Sequence, residues 1–411
     1  ARAIIDGALA ERRLALTLPE AKGVLAAFHI PVSQTVLATS PTAAVHIADR
    51  LGYPLAMKPA LAAGTPKAAG SVRLQLRSAP EVALAFRELT AAGHTPAGVL
   101  IEPQVSKPEG RWLAIGIRQD RLFGPVISLS ESGIAPVIYD ARAVALPPLN
   151  TRLIDALLDT PYVARLLGAV PGKPAVAAEP LRRILLRTSE MASELPWLHS
   201  LEISSLIADS AGAVAVDVAI AVQPLPEERE RYGHMAICPY PAQLESEATL
   251  KDGSRCTLRP IRPEDTAALQ DFVRHLSAHS KRLRFFSALS ELPMHQLARY
   301  AHIDYGRDMV IVATGERDGN AVVLGEARYS ILPDGKSGEF AVVIADEMVG
   351  KGLGARLLNR LVDAAREHGL SLLRGEVLAS NEPTLRLLEA LGFTVNLTDD
   401  HTLVEVSQRL G

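Results

Sequence analysis

Cysteine is scarce in this sequence, and so are aromatic residues. Among 411 residues there are two cysteines, Cys238 and Cys256, so no disulfide framework and no cysteine-based zinc cluster can be built. The same scarcity favours a reducing, cytoplasmic setting. Aromatic side chains make up 4% of the chain, which argues against a surface that stacks nucleic-acid bases.

An excess of positive charge and long apolar runs are lacking as well. The formal net charge is −3, whereas domains that bind nucleic acids usually carry a clear basic excess. No segment approaches the roughly 18 uncharged apolar residues of a membrane span. The opening ARAIIDGALAERRLALT mixes acids with arginines, unlike a signal or transit peptide. These features predict a globular protein with neither a nucleic-acid nor a membrane partner, and they leave the oligomeric state open, a homo-oligomer included.

The length predicts two domains, since 411 residues exceed one ordinary hydrophobic core. Residues 1–225 alternate helical and strand patterns and predict a first α+β domain. Within it, 98–105 and 112–120 read as an antiparallel pair of strands, and 200–222 reads as a hairpin. Residues 226–245 are rich in proline and charge and predict a linker.

Residues 246–411 carry a second, self-sufficient α/β pattern. A strand at 255–261 and two helices within 263–304 open it, and strands then alternate with helices as far as a last strand at 401–408. The fold class predicted for the chain is therefore α/β (α+β) in two domains.

Three alternating glycines, Gly350, Gly352 and Gly354, stand between a strand and a helix. Unpaired N–H groups and the positive end of the helix dipole make such a loop a cradle for an anion, although a tight turn also needs glycine. No Walker loop is present. The dinucleotide spacing Gly-x-Gly-x-x-Ala fits only by accident, because residues 345–349 separate the loop from its strand and few residues follow.

The segments EFAVVIADEMVGKGLGARLLNRLVDAAREHG and LRGEVLASNEPTLRLLEALGF resemble the acyl-CoA-binding core of the GNAT superfamily of N-acetyltransferases. The resemblance covers roughly residues 246–411 and implies a mixed central sheet, with acetyl-CoA as a substrate and no metal. In the family, the loop after the fourth strand holds the pyrophosphate of coenzyme A through backbone amides, usually with Gln or Arg where this chain has Val349. The residues implied to bind the coenzyme are Val342, Val343, Ile344, Val349, Gly350, Lys351, Gly352, Leu353, Gly354, Ala355 and Asn381.

The next helix carries one match to the family and one departure from it. Asn381 matches the asparagine that contacts the pantetheine arm, although Asn is also a favoured helix N-cap. Seven residues later, many members have a tyrosine that acts as general acid toward the leaving thiolate, and this chain has Leu388. The source of that proton stays open.

Glu339 is the predicted general base. It opens the strand EFAVVI, and the resemblance implies a base at such a position on the fourth strand. The alternation of side chains along a strand places Glu339 on the same face as Ala341 and Val343. A base is needed because an acceptor lysine, with a pKa near ~10.4, is almost fully protonated at neutral pH. The alternative is an exposed glutamate at the fraying start of a strand. Glu326, on the preceding strand, is the reserve candidate.

Residues 1–225 resemble the ATP-grasp subunit of NDP-forming acyl-CoA synthetases through YPLAMKPAL, VRLQL, FGPVI and SLEISSLIADSAGAVAVDVAI. Lys58 matches a nucleotide-contacting lysine. The family's His-Lys-Ser-Asp segment, however, reads Pro-Lys-Ala-Ala at 66–69, and its Gly-Leu-Gly-Gly turn reads Ser-Glu-Ser-Gly at 130–133.

The metal-binding motif of the same family is also altered. Its Glu-x-Asp-x-Asn reads Ser200, Glu202 and Ser204 here. Magnesium-ATP needs several hard oxygen donors near the phosphates, and one carboxylate with two serines supplies too little negative charge. The resemblance therefore implies a domain of synthetase type that is catalytically inactive.

A synthetase-like region followed by a GNAT domain resembles the Pat-type bacterial protein lysine acetyltransferases, as do residues 257–289 and 303–309. The resemblance implies acetyl transfer to a lysine of a protein, such as AMP-forming acetyl-CoA synthetase or a related acyl-CoA synthetase, with a regulatory first domain. Three alternatives remain: an ATP-dependent acyl-CoA ligase, a non-catalytic acyl-CoA sensor, and a transferase that acts on a small amine or an antibiotic.

A basic cluster in the second domain has two interpretations. It is either a border of the protein-substrate groove or a solvated helix face over two core phenylalanines. Its members are Lys281, Arg282, Arg284, Phe285 and Phe286.

Overall fold

The computed structural model divides into two compact units, Ala1–Ala236 and Ile237–Gly411, and the division falls within the stretch 226–245. The residues that the structure describes are 1–62, 72–91, 98–133, 142–225, 232–287, 289–301, 303–317, 319–398 and 402–410. The altered segment 66–69 lies outside the described residues.

The first unit alternates helices and strands. Its described helices are α1 (Arg2–Ala10), α2 (Leu18–Ala27), α3 (Pro41–Leu51), α4 (Ala79–Ala91), α5 (Thr151–Leu158), α6 (Pro161–Leu167) and α7 (Ala178–Glu194). Its described strands are β1 (Val36–Ala38), β2 (Leu55–Pro59), β3 (Arg73–Leu76), β4 (Val99–Pro103), β5 (Arg111–Asp120), β6 (Gly124–Glu131), β7 (Ala143–Ala145), β8 (Leu198–Ala208) and β9 (Ala213–Val222).

These strands form two sheets, with the orders β1-β4-β2-β3 and β7-β6-β5-β8-β9. The hairpin predicted at 200–222 is confirmed as the antiparallel pair of β8 and β9. The pair predicted for 98–105 and 112–120 is wrong, because β4 pairs with β1 and β2, while β5 pairs with β6 and β8. Alternation marks each strand but does not choose its partner, and here the loop between β4 and β5 carries the chain from one sheet to the other.

The second unit begins with strands β10 (Ser246–Thr249) and β11 (Arg255–Pro260). Three helices follow, α8 (Thr266–His275), α9 (Ala278–Phe285) and α10 (Met294–Ala301). The remaining elements are β12 (Asp308–Arg317), β13 (Asn320–Ile331), β14 (Ser337–Ile344), α11 (Leu353–Glu367), β15 (Leu372–Leu378), α12 (Glu382–Ala390), β16 (Thr394–Leu397) and β17 (Leu403–Arg409). The structure has three helices where two were predicted within 263–304. The helical conformation is interrupted at Ser277 and again after Phe286.

One eight-stranded sheet carries this unit, in the order β10-β11-β12-β13-β14-β15-β17-β16. All neighbours are antiparallel except β14 and β15, so the predicted mixed sheet is confirmed. β14 and β15 pair over only three residues each, from Ser337 to Glu339 and from Leu372 to Arg374. Beyond Glu339 and Arg374 the two strands diverge, and an opening follows in the middle of the sheet.

Helices cover both faces of this sheet. On β13, Glu326 and Arg328 reach α9 and α10, whereas the Tyr329 hydroxyl contacts His368 Nδ1 at 3.0 Å, just beyond α11. Residues directly opposite in an antiparallel pair share a face, and Ser330 is opposite Glu339. Glu339 therefore lies on the face that α9 and α10 cover.

Candidate active site

A cleft of about 940 Å³ begins at the opening between β14 and β15 and continues to the glycine loop. Ten of the eleven predicted coenzyme-binding residues line it, and so does Glu339. The exception is Leu353, which is fully buried in the hydrophobic core and can offer only its backbone.

The glycine loop presents free backbone donors. Gly350 and Gly352 have φ angles of +80° and +88°, the left-handed region that favours glycine, and α11 starts at the next residue. Among the described residues, five N–H groups of the loop and first helical turn have no hydrogen-bond partner. They belong to Gly350, Gly352, Leu353, Gly354 and Ala355. This geometry suits a diphosphate, which accepts several hydrogen bonds at the positive end of a helix dipole.

The side chains around the loop leave that space open. A Cβ at Gly350 would meet nothing within 4 Å, and Val349, which stands in place of the family's Gln or Arg, is 63% exposed. The Lys351 ammonium pairs with Asp252 at 2.9 Å, so its charge is already matched within the chain.

The predicted strand residues Val342, Val343 and Ile344 follow the point at which β14 leaves β15. From Phe340 to Ile344, β14 pairs with β13 alone, so its other edge carries unpaired backbone groups. An extended chain with amide groups can bind such an edge as an added strand. The arrangement therefore fits the pantetheine arm of coenzyme A, whose two amides could complete the sheet.

Asn381 and Leu388 close the cleft on the side of α12. Asn381 is 8% exposed and caps α12, its Oδ1 accepting a hydrogen bond from the Thr384 N–H at 3.4 Å. Leu388 is fully buried. The described residues that line the cleft include no tyrosine, and none supplies a phenol where many family members have one.

Glu339 lies where β14 and β15 separate. It is the last residue of β14 that pairs with β15, and its side chain is exposed in the cleft. Among the described residues, no hydrogen bond or ion pair engages its carboxylate. A carboxylate with free oxygens at the divergence of the two strands can accept a proton from a group that enters the cleft.

Glu326, the reserve candidate, belongs instead to a buried network on the same face. It is 3% exposed, with Arg284 at 3.2 Å and the Tyr300 hydroxyl at 3.5 Å from its Oε1. Burial, and the negative charge of Glu326, raise the pKa of Tyr300 to about 12. Arg328 also donates to the Tyr300 hydroxyl, at 2.7 Å. Glu326 is therefore a buried member of a charged network, whereas the Glu339 carboxylate is exposed in the cleft.

The basic cluster divides between core and cleft. Arg284 and Phe286 line the cleft, whereas Phe285 packs against the core. Lys281 donates to the backbone oxygens of Arg274 and Ser290. Phe286, which ends α9, has φ +53° and ψ +17° and is 50% exposed.

Two side chains that the sequence did not single out lie beside predicted positions. Lys251, in the turn between β10 and β11, lines the cleft next to the glycine loop. In the first unit, Asp217 lies 3.5 Å from the Ser204 hydroxyl and 3.8 Å from the Lys58 ammonium. The contacts of Lys251 with the glycine loop and of Asp217 with Lys58 join residues far apart in the sequence, and no local motif signals either of them.

Lys58, at the position that the sequence matches to a nucleotide-contacting lysine, lies in a network of ion pairs in the first unit. The Lys58 ammonium is 2.9 Å from Glu102, which also binds Lys22 at 2.9 Å. Burial lowers the pKa of Lys22 to about 8. The part of the chain that the structure describes contains no group of three or more His, Cys, Asp or Glu side chains able to hold a metal ion. The Lys58 ammonium is thus paired with a carboxylate of the protein itself.

Two family models match the chain. That of the ATP-grasp domain matches residues 7–222, and that of the acetyltransferase (GNAT) family matches residues 276–393. Over 162 residues the chain is 33% identical to an acetyltransferase of Pseudomonas aeruginosa, which covers 39% of this chain and 87% of that protein. Over 225 residues it is 31% identical to the β subunit of ADP-forming acetate–CoA ligase I of Pyrococcus furiosus, which covers 53% of this chain and 95% of the subunit.

A solved structure, the GNAT domain of PAT from S. lividans, is 26% identical and covers 42% of this chain and 99% of that domain, with a TM-score of 0.39. None of the helices that the structure describes is long and apolar enough to cross a membrane.

The match to the GNAT family model and the 33% identity to an acetyltransferase show that the second unit is an acetyltransferase of the GNAT type, and its mixed sheet agrees with that assignment. The chain belongs to the proteins in which an ATP-grasp domain, of the kind found in NDP-forming acyl-CoA synthetases, is fused to a C-terminal GNAT acetyltransferase domain.

Proposed function

We propose that this chain transfers the acetyl group of acetyl-CoA to a lysine side chain of a protein, with Glu339 as the general base. The observation that carries the proposal is the free carboxylate of Glu339 at the divergence of β14 and β15, in the same cleft as the glycine loop. The acceptor we favour is an AMP-forming acyl-CoA synthetase, because the transferase is fused to a domain of acyl-CoA synthetase ancestry.

The glycine loop, the open edge of β14 and Glu339 have separate roles in this reaction. The free N–H groups of Gly350, Gly352, Leu353, Gly354 and Ala355 hold the diphosphate, and the open edge of β14 aligns the pantetheine arm. Glu339 takes a proton from the lysine ammonium, and the neutral amine attacks the thioester carbonyl. The new carbon–nitrogen bond leaves a positive charge on the nitrogen, which gives its second proton to water. The carbon–sulfur bond then breaks, and the CoA thiolate leaves with the electron pair. Water or another group protonates it, since no tyrosine lines the cleft among the described residues.

We assign the ATP-grasp half a regulatory or docking role, not ligation. Likeness to an ADP-forming ligase subunit favours ligation as a second candidate. The internal pairing of Lys58 with Glu102, and the serines at 200 and 204, argue against it. Small amines remain the alternative class of acceptor for the GNAT half.

The test of Glu339 is its replacement by glutamine, which preserves size and hydrogen bonding but cannot take the proton. With AMP-forming acetyl-CoA synthetase and labelled acetyl-CoA, we expect kcat at pH 7 to fall by at least about 10²-fold and to recover partly at high pH, where lysine deprotonates by itself. The affinity for acetyl-CoA should stay unchanged.

Glu376→Gln is the matched control. Glu376 lines the same cleft from β15 and is exposed, but it lies on the other side of the opening. Its replacement should leave kcat close to that of the unchanged chain. Normal acetylation at pH 7 by Glu339→Gln would remove this residue from the mechanism, and acetylation of small amines alone would change the proposed acceptor.

A further inference from the structure

The turn between β10 and β11 packs directly against the glycine loop. The Lys251 N–H donates to the Lys351 carbonyl at 3.1 Å, and the Lys351 ammonium returns to Asp252 at 2.9 Å. The turn itself is closed by a hydrogen bond from the Leu250 N–H to the Ser254 carbonyl, at 2.8 Å. The loop therefore has a fixed neighbour that belongs to the start of the second unit.

Lys251 and Lys351 differ in whether a carboxylate of the protein pairs with the ammonium group. Lys351 is neutralised by Asp252, whereas no described residue pairs with the Lys251 ammonium. The carbon chain of Lys251 runs across Gly352: its Cε, Cγ and Cδ lie 3.5, 3.6 and 3.8 Å from the point where a Cβ of Gly352 would be. This packing places the Lys251 ammonium, which no described carboxylate pairs with, beside the loop whose N–H groups are free.

We propose that Lys251 is a phosphate ligand of coenzyme A and that it contacts the diphosphate. The assignment rests on the proposed coenzyme site. It adds the turn between β10 and β11 as a second side of that site, next to the loop and the start of α11. The free N–H groups bind phosphate oxygens from the side of α11, and the ammonium binds them from the turn.

Calorimetric titration of the full chain with coenzyme A tests the assignment. Lys251→Met preserves the apolar stem and removes the charge, and we expect it to weaken binding about 10-fold or more, since hydrogen bonds to charged groups are the strong ones. Added salt should weaken binding to the unchanged chain more steeply than binding to Lys251→Met. Arg255→Ala is the control, because Arg255 lies on the same hairpin outside the cleft and should keep the original affinity.

Titration with 3′-dephospho-CoA distinguishes the two phosphate groups of the ligand. If Lys251 contacts the diphosphate, Lys251→Met loses the same factor with this ligand as with coenzyme A. A loss seen only with coenzyme A would move Lys251 to the 3′-phosphate and overturn the assignment, as would equal affinities of Lys251→Met and the unchanged chain. Failure of the unchanged chain to bind coenzyme A would overturn the proposed function together with this inference.

Discussion

Replacement of Gly352 by glutamate tests whether the glycine loop holds the diphosphate at all. At φ +88°, any side chain at this position costs about 1–2 kcal/mol of backbone free energy. A Cβ there would meet the Lys251 Cε at 3.5 Å, which is ordinary van der Waals contact. The substitution therefore strains the backbone without creating a clash, and the fold should survive.

The added charge should have a larger effect than the strain. At an effective dielectric constant near 20, two unit charges about 5 Å apart repel by roughly 3 kcal/mol. A diphosphate brings at least two such charges, and screening by solvent and salt reduces the sum. A net loss of about 3 kcal/mol is therefore a conservative value, and it weakens coenzyme A binding by at least about 100-fold.

Gly352→Ala separates the two contributions, because it strains the backbone equally and adds no charge. In both variants the unfolding midpoint should fall by about 2–8 °C for a unit of this size, as measured by scanning calorimetry. Only Gly352→Glu should lose the additional 100-fold in titrations with coenzyme A. If the two folded variants bind coenzyme A equally well, the diphosphate does not lie at this loop.

Two further predictions concern other parts of the chain. At Phe286, whose φ is +53°, alanine and glycine both remove the ring, but only glycine relieves the left-handed strain. Phe286→Gly should therefore unfold about 2–8 °C above Phe286→Ala, and equal midpoints would show that the backbone there is not strained. The purified chain should make no acyl-CoA from acetate, ATP and coenzyme A, because the ammonium of Lys58 is paired with Glu102. Formation of ADP that depends on acetate and coenzyme A would contradict the inactive assignment of the first unit.

Local patterns predicted the parts of the site that are local in the chain. The glycines at 350 and 352 are needed by the backbone of one short turn, so their spacing was sufficient to indicate the loop. Glu339 followed from its position at the start of a strand of known period, together with the family resemblance. The capping role of Asn381 was visible because Asn, then Glu and Pro, is a typical helix start.

Contacts between distant segments could not be predicted in the same way. Lys251 reaches the loop only because β10 and β11 form the edge of the sheet beside α11, and Asp217 reaches Lys58 only because two sheets meet in the first unit. The same limit explains the wrong pairing of β4 with β5. A strand's own residues specify which face is buried, whereas its neighbour is chosen by the packing of the whole unit.

Only three residue pairs join β14 to β15. The large sheet therefore consists of a part with five strands and a part with three strands, held together by this short parallel pairing. A ligand that binds the open edge of β14 would add hydrogen bonds beyond these three pairs. Because it binds only the folded chain, it would stabilise that state by mass action. We therefore expect the last three strands to open more often when acetyl-CoA is scarce. The rate at which proteases degrade the protein would then rise as the concentration of acetyl-CoA falls.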